Sequence, residues 1–304
     1  MKGLKALKIT LPLLIALSAA GPAFVAASPQ ALAAQAKPGS QASPAKPAKP
    51  AKPVKNKPAK KTVKTKPAKK KPAKQSGDFL LCRSLGAVRV HSTTRTYLVN
   101  NNNFEGKPEC LSGSSHAAAF RVASSGATST GPDSDSFPDI YIGCSWGRCS
   151  PGTTLPTRVS KLGNLVTTFD TRENAGGLWA ATYDMWFDPK PLRTGQASAE
   201  MMIWLNVKGL YNPAGEGWPV VRIDGAQWYV LTWITGNGHQ TWRYVQFRKY
   251  TPRWNATNLS LQPFYKYMEQ QGWITPSWYA LNVEAGFEIW SGGAGLATTA
   301  FSVK

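Results

Sequence analysis

Three runs of the chain alternate apolar and polar residues with a period of two, which only a strand with one buried face accommodates. In Trp179–Asp188, Ala181, Tyr183, Met185 and Phe187 oppose Thr182, Asp184, Trp186 and Asp188. In Ala199–Asn206, Met201, Ile203 and Leu205 oppose Glu200, Met202 and Trp204. In Leu281–Trp290, Val283, Ala285, Phe287 and Ile289 oppose Glu284, Gly286, Glu288 and Trp290. The first face of each run is a core face. The second carries a carboxylate close to an indole, a poor core but a good surface for a sugar.

Short β-rich runs separated by turn signals surround these three. They include Thr96–Asn100, Arg158–Val159, Val220–Ile223, Gln227–Thr235 and Thr241–Lys249. Pro263–Gln271 reads as a helix, with Ser260 near its start and Gly272 just after its end. Many strands and one short helix predict an all-β, antiparallel sandwich of jelly-roll type spanning 78–304.

The formal charge of +20 invites a nucleic-acid reading. Its distribution removes that reading. Residues 1–77 hold 17 lysines and no acid, leaving 19 basic against all 16 acidic residues, a net of +3, in 78–304. A protein that binds nucleic acid needs its charge on the folded surface. Residues 37–77 are built from Pro-Ala-Lys units such as Pro44-Ala45-Lys46 and bury nothing. They are expected to stay disordered and extended, reaching on the order of 120 Å. A spacer with incidental affinity for acidic cell-wall polymers is the expected role.

Residues 1–36 read as an export signal. Lys2, Lys5 and Lys8 precede the short apolar run Ile9–Ala20, and small-residue cleavage sites follow at 25–27, 31–33 and 34–36. Secretion, with possible retention at the cell surface, is the implied localisation. Four cysteines, Cys82, Cys110, Cys144 and Cys149, all fall in the folded part. In an exported chain an even count favours two disulfides. Cys144 and Cys149 are near enough to close a small loop, which leaves Cys82 for Cys110. A zinc site is the weaker alternative, because no paired CxxC or nearby histidine supports it; no metal or cofactor is expected.

Paired carboxylates among indoles are what glycoside hydrolysis requires. One acid protonates the leaving oxygen, and a second carboxylate attacks the anomeric carbon or activates water. Tryptophan faces stack on sugar rings. Periodicity alone fits a catalytic cleft and a non-catalytic carbohydrate-binding face.

The segments Ala199-Glu200-Met201-Met202-Ile203-Trp204-Leu205-Asn206 and Ala285-Gly286-Phe287-Glu288-Ile289-Trp290 resemble the two catalytic strands of glycoside hydrolase family 12. Tyr183–Asp188, Tyr141–Cys149, Thr275–Tyr279 and Gly292–Ala297 also resemble family signatures, in the same order. The resemblance covers essentially 80–304. It implies two curved antiparallel sheets and a retaining, endo-acting β-1,4-glucanase, with a xyloglucan-specific enzyme as the alternative. By motif position Glu200 is the implied nucleophile and Glu288 the general acid/base, with Asp184 beside Glu200 supporting its charge state. Asn102, Trp146, Met202, Trp204 and Trp290 are the implied cleft residues. The resemblance supports the same two disulfide pairs, and a monomer acting on β-glucan. Where the family usually carries tryptophan this chain has Phe104, whose smaller ring is expected to alter binding at a distal subsite.

Other features are decoys. Gly143-Cys144-Ser145-Trp146-Gly147 fits GxSxG, but no helical pattern follows it. His91, His116 and His239 lack metal-ligand spacing. Asn255 and Asn258 begin glycosylation acceptors, which matter only in a eukaryotic source. Glu284, roughly 13 Å along the strand from Glu288, is expected to be structural or at the cleft margin.

Overall fold

The computed structural model describes residues 77–210, 216–236, 240–253 and 255–304. The signal segment read over 1–36, the linker read over 37–77 (Gly77 apart) and His239 lie outside the described residues.

Strands are numbered in chain order. The smaller sheet runs β1 (Asp78–Leu81), β4 (Glu109–Ser114), β5 (Phe120–Ser125), β19 (Ala297–Val303), β10 (Val166–Arg172), β16 (Asn255–Ser260). The larger runs β13 (Val220–Ile223), β14 (Ala226–Gly236), β15 (Thr241–Lys249), β12 (Ala199–Lys208), β11 (Gly177–Asp188), β18 (Asn282–Gly292), β7 (Asp139–Ser145), β3 (Thr96–Asn101), β2 (Gly86–His91). Four two-residue strands attach to it: β6 (Ala127–Thr128), β8 (Arg148–Cys149), β9 (Thr157–Arg158) and β17 (Tyr279–Ala280). The expected strand at Arg158–Val159 is β9 displaced by one residue, because Val159 opens a short 3-10 turn and is buried.

The apolar faces read from the alternation meet the smaller sheet. Phe169 of β10 lies edge-on to Tyr183 at 5.4 Å and near Phe287 at 6.0 Å. Tyr97 of β3 meets Phe301 of β19 at 5.1 Å. Met185, Met201, Ile203, Val283 and Ile289 are fully buried in the same layer. Burying each such side chain stabilises by roughly 1.5–3 kcal/mol, so the polar partners of the alternation are forced onto the opposite face.

The helix α1 spans Gln262–Gln270, with Pro263 in its first turn. Phe264 packs on Trp228 and Phe247, at 4.8 and 5.2 Å. Gly272, at φ 70°, follows its end as expected. Ser260 does not cap it: the cap position is Leu261 without a side-chain bond, and the Ser260 hydroxyl bonds Asn164.

One pairing departs from the antiparallel expectation. β12 and β15 are parallel, with Glu200 opposite Tyr244 and Met202 opposite Gln246. The chain leaves β12, forms the β13–β14 hairpin, and returns as β15 between β14 and β12. That return fixes the direction of β15.

Both disulfides form as expected, Cys82–Cys110 and Cys144–Cys149. The second closes the β7–β8 turn, where Trp146 has φ 43°. On β18, Gly286 lets β7 approach: a Cβ there would lie 2.2 Å from the Pro138 carbonyl oxygen.

Candidate active site

The free face of the larger sheet gathers five carboxyl groups on four adjacent strands: Asp139 (β7), Glu284 and Glu288 (β18), Asp184 (β11) and Glu200 (β12). Across β11 and β18, Asp184 stands directly opposite Glu284, and Ala180 opposite Glu288. Across β11 and β12, Asp184 stands opposite Met202, and Trp186 opposite Glu200. Glu200 is therefore the diagonal neighbour of Asp184, a spacing of about 7–8 Å between backbones. Asp184 lies on β11, between the strands of Glu200 and Glu288.

Each acid has its own donor. Trp242 Nε1 donates to Glu200 Oε2 at 2.6 Å, and Trp186 Nε1 to Asp184 Oδ2 at 3.0 Å. Asn282 Nδ2 donates to Glu284 Oε1 at 2.6 Å, Asn100 Nδ2 to Asp139 Oδ2 at 3.2 Å, and Ser134 Oγ to Glu288 Oε1 at 3.4 Å. Trp186 and Trp242 pack at 5.9 Å beside Glu200.

Burial dominates the electrostatics, since it disfavours every charged form. It pushes Glu288 up to about 8, and the charge of Glu200 adds to the rise. It pushes Glu200 up to about 8 as well, opposed by the Trp242 N–H and reinforced by Glu284. Asp184 is held well above the usual carboxylate range by burial, then by Glu200, Glu284 and Glu288. The two groups are not equivalent. Glu200 has a short donor that favours its anion, and the charge of Glu200 raises Glu288. The arrangement thus favours the anion at Glu200 over the anion at Glu288.

The implied cleft residues divide into two kinds. Met202, Trp204 and Trp290 lie on the free face with Phe137, Ala180 and Tyr244, but they are buried and pack on one another. Trp204 meets Trp290 at 5.8 Å, and Trp290 Nε1 donates to the Pro132 carbonyl oxygen. They form the floor of the cleft rather than open stacking platforms, because large side chains on a closed-in face cover each other. Phe104 and Trp146 are the exposed rings, at 47% and 58%. Asn102 is half-buried, its carbonyl accepting from Phe137 N–H. Trp146 lines a pocket with Trp186, Arg193, Thr194 and Asn282.

One residue escaped the sequence reading, and a second was placed only in part. Trp242 was part of an expected strand whose faces were not sorted; alternation over Thr241–Lys249 places it with Tyr244, Gln246 and Arg248. Glu284 is not at the cleft margin. It is 2% exposed, in the middle of the acidic row. The GxSxG serine, Ser145, is no nucleophile elbow: it sits at the disulfide-closed β7–β8 turn, with no helix directly after it. His91 is an exposed residue bonded to Thr96, and His116 is exposed too. Among the described residues no three or more His, Cys, Asp or Glu side chains are placed so that they could hold a metal ion together.

A jelly roll with buried carboxyls and indoles on one sheet face has the parts of a carbohydrate-active protein, and the comparisons make it a glycoside hydrolase of the cellulase type. The sequence profile of glycosyl hydrolase family 12 matches residues 95–304, and the chain belongs to that family. A probable cellulase of Mycobacterium tuberculosis is 33% identical over 153 residues, covering 50% of this chain and 98% of its own length. A metagenome-derived family 12 endoglucanase structure superposes with a TM-score of 0.67 at 33% identity, over 75% of this chain and 97% of its own. An endoglucanase from Rhodothermus marinus gives 0.66 at 34% identity, over 74% and 98%.

Proposed function

We propose that the protein is a secreted endo-β-1,4-glucanase that hydrolyses soluble or amorphous β-glucan with retention of anomeric configuration. Glu288 delivers its proton to the glycosidic oxygen while the Glu200 carboxylate forms a bond to the anomeric carbon and the carbon–oxygen bond to the leaving sugar breaks. Glu288, now ionised, takes a proton from water, whose oxygen displaces Glu200 from the same carbon. The observation that carries this order is the short Trp242 N–H donation to Glu200, which stabilises the attacking anion. Asp184 acts as a neutral neighbour of Glu200, adding no second charge beside the attacking carboxylate.

The names of the similar proteins, cellulase and endoglucanase, support a β-glucan substrate. Phe104 replaces a larger ring at an exposed position and is the residue we expect to set preference among glucans. The lysine-rich segment serves as a spacer behind an export signal.

The test is a product profile on carboxymethylcellulose, mixed-linkage glucan and xyloglucan, with proton NMR of the first-formed anomer. β-configured products are expected, and no activity from Glu200→Gln. First-formed α products would overturn retention, and activity in Glu200→Gln would overturn the assignment.

A further inference from the structure

Asp184 and Glu284 are directly opposed across β11 and β18, and side chains so placed have Cβ atoms about 4.5–5.5 Å apart. Two negative charges at that spacing on a buried face repel strongly, so the pair holds a proton. Asp139 extends the row. It pairs with Gly286, two residues from Glu284, which makes it the diagonal neighbour on the other side. All three acids are at most 4% exposed.

Hydrogen bonding shows where the charge and the protons reside. The Asn282 carbonyl accepts from Trp186 N–H at 3.0 Å, which turns its amide N–H group toward Glu284. Ser145 also lies near enough to oppose the rise of Glu284. By contrast, Asp184 Oδ1 and Asp139 Oδ1 are buried with no hydrogen-bond partner. A buried carboxylate oxygen without a donor is costly, and a proton on it removes the charge. Glu284 thus has the surroundings of an anion, and its two neighbours those of neutral acids.

We propose that Glu284 is a positioning residue for the reaction: its carboxylate keeps the proton on Asp184 and, through the same row, sets the charge state of Glu200. The inference rests on Glu200 being the attacking carboxylate. Burial, opposed by Ser145, leaves Glu284 at about 7, whereas the charge of Glu284 raises Asp139, Asp184 and Glu200 alike. The other groups facing it are Tyr141, its direct partner on β7, and Glu288, four residues along its own strand. Arg148 acts on Tyr141, lowering its otherwise raised phenol.

The experiment compares kcat and KM against pH for the parent, Glu284→Gln and Glu284→Asp, with infrared absorption of the protonated carboxyl groups. In Glu284→Gln, the acid limb of kcat falls by about one pH unit, KM stays within about twofold, and the Asp184 carboxylic-acid band, assigned with Asp184→Asn, titrates at lower pH. Glu284→Asp keeps the charge and restores the parent limb. A folded Glu284→Gln whose limb and band match the parent overturns the inference, even if its melting temperature has changed. If Glu284→Gln does not fold, Glu284→Asp decides alone: it keeps the charge, so a displaced limb or a shifted Asp184 band in it does the same. Activity in Glu200→Gln would instead bring down the assignment beneath it, so the two failures are distinguishable.

Discussion

The indole N–H of Trp242 donates to Oε2 of Glu200 at 2.6 Å, joining two strands that run parallel to each other. A donor to a charged group is worth roughly 1.5–3 kcal/mol. In Trp242→Phe the Glu200 anion loses that stabilisation and its already raised titration moves higher still. The acid limb of kcat should move up by about one pH unit, and kcat at neutral pH should fall roughly tenfold to a hundredfold. Steady-state kinetics across pH check both, and an unmoved limb would remove Trp242 from the mechanism.

Glu288→Gln removes the proton donor. Turnover on glucan should drop by about a hundredfold to ten-thousandfold. An aryl cellobioside with an acidic phenol as leaving group needs little protonation, so its first step should be largely spared. Equal losses on the two substrates would deny Glu288 its role as acid.

The rate profile follows from the same burial. Acidic-side activity is the ordinary expectation for two carboxyls, but here burial pushes both Glu200 and Glu288 up to about 8. The charge of Glu200 is part of what raises Glu288, so Glu200 loses its proton first and Glu288 second. The bell should be centred near or above neutral rather than in acid, and a kcat/KM profile on soluble glucan measures its centre.

Glu109 tests the stability side away from the cleft. It is 3% exposed, bonded by Ser136, and burial pushes it up to about 7 from 4.5. A carboxyl raised in the folded state contributes its full stability below its unfolded value. That contribution is lost as pH rises through the folded one. Glu109→Gln should therefore match the parent near pH 4, and gain on it through the window from about 4.5 to 7, reaching about 2–3 kcal/mol above it. Thermal melts at several pH values read this directly.

Gly286→Ala should cost about 1–3 kcal/mol or more, because the added methyl meets the Pro138 carbonyl at 2.2 Å and β7 must withdraw. Denaturant midpoints of the two proteins provide the comparison.

The catalytic strands were legible because a half-buried strand writes its two faces into alternate residues, and Asp184, Glu200 and Glu288 all fell on the free one. Most of the smaller sheet was not. Glu109–Ser114 and Phe120–Ser125 carry serine and glycine where the pattern needs polar and apolar contrast, so nothing local distinguishes them from loop. Asn255–Ser260 was noticed only for its glycosylation acceptors and is the edge strand β16, with Asn255 accepting from Thr171 N–H. The cleft-margin alternative for Glu284 fails for a different reason. Its distance from Glu288 along the strand is legible, whereas its partner on the next strand depends on register, which no local pattern records.

The parallel pairing of β12 with β15 also bears on how the enzyme comes into being. Antiparallel neighbours can zip from a tight turn, but parallel ones must wait for the intervening chain to close. Between Lys208 and Thr241 the β13–β14 hairpin has to form and dock before Trp242 can reach Glu200. Until then Glu200 lacks its donor, and the face on which the acids are gathered is incomplete. Acquisition of activity in refolding should accordingly coincide with the last sheet closure instead of preceding it.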